Sequence, residues 1–85
     1  MPDSLTYSDF VAIHRAVEDF AAEEFPKHEG DESYFIAVAR NTANGRRECG
    51  RAERYMVRKT GLKALRATEE ARIHLRYLAD SAIDA

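Results

Sequence analysis

Eighty-five residues suit a single domain, 1–85, and a net charge of −2 beside 45% hydrophobic residues excludes a chain held unfolded by its own charge. The core is expected to be thin, because 14 of the hydrophobic residues are Ala and only 17 residues are Leu, Ile, Val or Phe; closely packed helices, with a second copy available to complete them, fit that supply. No apolar run approaches the roughly 20 residues of a membrane span, lone Cys49 excludes a disulfide framework, and Met1 to Phe10 has neither the basic region nor the apolar run of a signal peptide, so the expected location is cytoplasmic.

Residues 1–7 read as a short tail. A first helix is expected from about Ser8 to Glu24, with Thr6 or Ser8 capping its free amides and Asp9 in its first turn. Phe10, Ile13, Val17 and Phe20 follow steps of three, four and three residues, which places them on one helical face. Pro26 disfavours helix at Phe25 and ends the run, and Pro26 to Gly30 reads as a loop.

Asp31 can cap a second helix over about Glu32 to Ala43, closed by Asn44-Gly45 in a left-handed conformation. A third helix covers about Arg46 to Thr60, with Gly61 just past its end and Cys49, Ala52, Tyr55 and Met56 as its apolar stripe. The competing reading makes 33–57 a β-hairpin between two helices. Tyr34, Ile36 and Val38 alternate, and Asn44-Gly45 is a strong hairpin-turn signal. Charges fall on both faces from Arg46 to Arg54, however, and Gly50 sits between them, which suits a half-buried strand poorly. The expected class is therefore all-α, a small bundle of three or four helices. The last helix runs from about Leu62 or Thr68 to Ile83, and Thr68 with Glu69-Glu70 makes an internal start. Ala71, Leu75, Leu78 and Ala82 line one face of it, flanked by Ile73 and Ile83.

Charge is distributed unevenly along the chain. Residues 1–32 hold nine acidic and two basic side chains, a net of −7, whereas residues 33–79 hold eleven basic and four acidic, a net of +7. Such polarity has three readings: acidic helix 1 lies against basic helix 3, the two surfaces pair with another protein or a second copy, or the basic segment meets nucleic acid. Arg47, Arg51, Arg54 and Arg58 follow steps of four, three and four, which makes a continuous Arg stripe. Like charges at that spacing repel by a few tenths of a kcal/mol per pair, so negative charge from outside the stripe has to answer them. Arg favours bidentate contact with carboxylate or phosphate. Tyr55, beside Arg54, is a candidate aromatic anchor in a protein interface or a platform for bases.

Catalytic and metal chemistry find little support. His14 borders the helix 1 stripe, and His28 falls in the expected loop. Glu70 and His74 share a face of the last helix, but no metal-binding pattern such as HExxH surrounds them, so they read as a surface pair. No phosphate loop or nucleophile elbow occurs, nor does Gly45 or Gly50 sit in a complete helix-turn-helix pattern. The expectation is a non-enzymatic module that needs no metal or cofactor. It binds another protein or a second copy of itself, as a regulator or inhibitor of a larger assembly, through electrostatic recognition. The candidate contact residues are Arg47, Arg51, Arg54, Arg58 and Tyr55 on the basic side and Glu18, Asp19, Glu23 and Glu24 on the acidic side. A nucleic-acid-binding module using the Arg-rich face is the alternative, and the net acidity of the chain weighs against it.

Overall fold

A computed structural model describes residues 4–83 as four α-helices: α1 (Tyr7–Glu24), α2 (Glu32–Ala39), α3 (Ala43–Thr60) and α4 (Leu65–Ile83). A single 3₁₀ turn, Phe25–His28, joins α1 to α2. No strand occurs among the described residues, so the hairpin reading of 33–57 is overturned.

α1 starts where its sequence supplies a reciprocal cap. The Asp9 amide donates to the Thr6 hydroxyl and the Thr6 amide donates to the Asp9 carboxylate, each at 3.1 Å, satisfying two otherwise free donors. The helix thus begins at Tyr7. Leu5 packs against the core, so the chain is already part of the fold where a tail was expected; residues 1–3 of that tail lie outside the described residues. At the other end Pro26 does not open a loop. Its fixed φ suits a first helical turn, and the chain tightens into the 3₁₀ turn before Gly30 reverses it at φ 84°.

The junction between α2 and α3 also differs from expectation. Asp31 caps α2 by accepting from the Tyr34 amide at 3.4 Å, as its position suggests. The helix then stops four residues early, because Asn41 takes the left-handed conformation at φ 58° and the Thr42 amide returns to the Ala37 carbonyl at 3.1 Å. Asn44 and Gly45 lie inside α3. Gly45 is there for proximity: a Cβ on it would stand 1.9 Å from the Ala37 oxygen. α3 ends as its sequence indicates, with Gly61 at φ 75° donating to the Val57 carbonyl at 2.8 Å.

Cross-helix contacts fix the directions. Glu24 meets Arg51 and Phe20 meets Tyr55, so α1 and α3 run antiparallel. Arg72 reaches back to Glu53, so α3 and α4 are antiparallel as well, and α1 runs parallel to α4. α2 packs across α3 and α4. The core at their centre takes Ile13, Val17 and Phe20 from α1, Val38 from α2, and Cys49, Ala52 and Met56 from α3. α4 contributes Ala67, Ala71, Leu75 and Ala79, one every four residues. Three Ala in that row let α4 approach its neighbours closely, which is how few large apolar residues fill the interior. The buried row is rotated from the expected face, and Ile73 points to solvent.

Cys49 is completely buried, and burial pushes its thiol above the ordinary range. A thiol reagent at mildly alkaline pH is therefore expected to label the native protein only as fast as it unfolds, and at once in denaturant. A fast reaction in native buffer, followed by absorbance, contradicts this packing.

Candidate functional site

The Arg stripe of α3 forms as its spacing requires, but its members meet different surroundings. Arg51 is exposed along one side but is tied to the fold by two carboxylates. Its Nη1 donates to Glu24 Oε1 at 2.9 Å and to Glu48 Oε1 at 2.7 Å. Both carboxylates are buried, Glu24 at 8% and Glu48 at 6% exposure, so each needs a positive or donating partner. Glu48 obtains a second donor from the Tyr34 hydroxyl, and Glu24 a second cation from Lys27 at 3.4 Å. The His28 ring stacks on Tyr34 with centroids 3.6 Å apart; the residue lies in a 3₁₀ turn against the fold rather than in an open loop. The Arg51 hydrogen bond holds Glu24 below the ordinary carboxylate range. Burial and the neighbouring Glu48 carboxylate push the Tyr34 hydroxyl upward, so it remains a donor.

Glu24, His28 and Glu48 bring donor atoms within 4.8 Å of one another and are residue types that ligate divalent metals. The Arg51 guanidinium already binds both of these carboxylates and supplies the positive charge a metal ion would bring. A metal here would have to displace it.

Arg54 and Arg58 differ from Arg51. Neither forms an ion pair with a carboxylate among the described residues. Together with Lys27 and Arg51 they line a cleft of about 340 Å³ between the end of α1 and α3, with Glu23 and Glu24 on the same cleft and Phe20 and Tyr55 as its aromatic part. The Tyr55 ring is half-buried, edge-on to Phe20 at 5.7 Å, and Arg58 and Lys59 approach its face at 6.0 and 5.4 Å. Arg47 lies two turns from Arg54 and lines a separate cleft beside Tyr34 and Asp31.

The acidic residues of α1 are also dispersed. Glu24 is buried on Arg51, Glu23 is exposed at the cleft, Asp19 is exposed, and Glu18 turns to α4. There Glu18 Oε2 lies 2.9 Å from His74 Nε2, and Glu70 Oε2 lies 2.7 Å from His14 Nε2. The two imidazoles stack with centroids 3.9 Å apart. Glu70 and His74 thus pair across helices and not with each other. The sequence carries a signal for this arrangement: His14 precedes Glu18 by four residues and Glu70 precedes His74 by four, so two parallel helices in register set each His opposite a Glu.

No protein-family model matches the chain, and no curated protein or solved structure matches it. No helix among the described residues is long and apolar enough to cross a membrane.

Proposed function

We propose that the chain is a cytoplasmic protein-binding module that takes an acidic segment of a partner into the cleft of Arg54, Arg58 and Lys27, as a regulator or inhibitor of a larger assembly and without catalysis. The observation that carries this reading is the contrast along one helix face: Arg51 is neutralised by Glu24 and Glu48, whereas Arg54 and Arg58 present guanidinium groups with no carboxylate ion-paired to them among the described residues. Mutual repulsion and outward donors make them ready to receive carboxylates in bidentate geometry.

Two features favour a polypeptide over nucleic acid. Glu23 and Glu24 line the same cleft, and a mixed-sign wall suits a chain bearing amides and both charges better than a uniform row of phosphates. The Tyr55 ring is engaged by Phe20, Arg58 and Lys59, which leaves it a poor platform for a base.

Fluorescence anisotropy with a labelled oligoglutamate peptide tests the proposal. Binding at low salt is expected to weaken as salt rises, and Arg54→Glu with Arg58→Glu is expected to reduce affinity by about tenfold or more at unchanged thermal stability. Equal affinity of the double variant overturns the reading. Tighter, steeply salt-dependent binding of duplex DNA to the same face replaces it with the nucleic-acid alternative.

A further inference from the structure

The outward face of α4 is unusual in both shape and charge order. Leu65, Ile73 and Tyr77 are 70%, 58% and 64% exposed, on a protein with few large apolar residues. At helical pitch they share one arc of about 120° with Arg66, Glu69, Arg76 and Asp80, opposite the buried Ala67, Ala71, Leu75 and Ala79 row. The four charges read basic, acidic, basic, acidic along the helix. None of them forms an ion pair among the described residues, although Arg76 donates to the Ala39 carbonyl at 3.3 Å.

We infer that this arc is a self-association surface, on which α4 pairs antiparallel with α4 of a second copy about a two-fold axis at Ile73. The charge order selects both the occupant and its direction. Turned end for end about Ile73, Arg66 faces the partner's Asp80, and Glu69 comes opposite the partner's Tyr77, one residue from its Arg76, so each charge has its opposite at or beside the facing position, twice over by symmetry. A parallel pairing in register would set like on like at all four positions. Ile73 packs on its own symmetry mate at the centre, and Tyr77 and Leu65 extend the apolar contact toward the ends. One helix pair buries a small area, so the dimer is weak and concentration-dependent. The surface is distinct from the α3 cleft and stands or falls separately from the proposed function.

Sedimentation equilibrium of the full chain over a wide concentration range tests it through charge complementation. Arg66→Glu alone and Asp80→Arg alone each place like charges in both symmetric contacts, and each is expected to weaken self-association by about tenfold. Mixed together, the two variants restore attraction in both contacts, so an equimolar mixture is expected to regain the wild-type dimer as a heterodimer. Ile73→Asp, at an exposed position, is expected to leave a folded monomer by circular dichroism. A wild-type chain that stays monomeric to millimolar concentration overturns the inference, as does a dimer that all three variants leave intact or a mixture that fails to recover. Oligoglutamate binding per chain is expected to be unchanged in these variants, which separates this surface from the α3 cleft.

Discussion

Gly45→Ala is expected to destabilise the protein by about 2–4 kcal/mol, although Ala is the better helix former by about 1 kcal/mol. Gly45 lies inside α3 at its contact with α2. An added Cβ would stand 1.9 Å from the Ala37 oxygen, 2.5 Å from its carbonyl carbon and 2.9 Å from the Val38 Cα. These are backbone atoms and have no rotamer through which to retreat. α2 must move by more than an ångström, which unseats fully buried Val38 and strains the Arg76 hydrogen bond to Ala39. Gly50, in the same helix, gives the opposite sign. A Cβ there meets only the ends of the Arg54 and Arg72 side chains, at 3.4 and 3.8 Å. Gly50→Ala is therefore expected to gain up to about 1 kcal/mol from helix propensity. Urea denaturation checks both: a lower midpoint for Gly45→Ala at unchanged slope, and an equal or higher one for Gly50→Ala. A Gly45→Ala protein as stable as wild type contradicts the close α2–α3 contact.

Arg51→Glu is expected to cost about 2–4 kcal/mol at neutral pH, overlapping only the lower end of the roughly 3–5 kcal/mol for breaking a fully buried ion pair. The substitution gathers three carboxylates where two buried ones shared a guanidinium. Water reaches the Arg51 side chain, which is 43% exposed, and moderates the effect. The pH dependence identifies the cause. Arg51 lowers the folded-state pKa of Glu24 from its ordinary value of 4.5, so the stabilisation is present above that value and is lost as pH falls through the lower, folded one. The stability gap between wild type and Arg51→Met is therefore expected to be widest near neutrality and to close in acid. A gap independent of pH, measured by denaturation across that range, means that Arg51 acts through packing alone.

The parts of the fold that a linear reading reached are those governed by local periodicity. Ile13, Val17 and Phe20 are buried on the face their spacing defines, and Gly61 closes α3 at the residue its neighbours indicate. The boundary between α2 and α3 was not reachable in the same way. Asn41 and Asn44-Gly45 are both plausible left-handed stops, and the choice depends on α2 coming close enough to α3 to require a glycine at 45. The rotation of α4 escaped for a related reason: Ile73 is more apolar than Ala67 or Ala79, yet small residues win the interior positions where helices approach closely. At the candidate site, spacing gave the Arg stripe but could not divide it. Whether Arg51 or Arg54 meets Glu24 depends on the axial register of α1 against α3, a tertiary quantity that no local pattern encodes. The same register makes Glu24 a buried partner of Arg51 while Glu23, one residue earlier, remains on the surface.

The most direct measurement is a nuclear magnetic resonance titration of the Arg side-chain Nε–H signals with oligoglutamate peptide. Signals of Arg54 and Arg58 should shift in proportion to occupancy, while that of Arg51, already held between Glu24 and Glu48, stays in place. Movement of Arg51 ahead of its neighbours, or no shift on α3 at all, contradicts the division of the stripe into one structural and two receptive arginines.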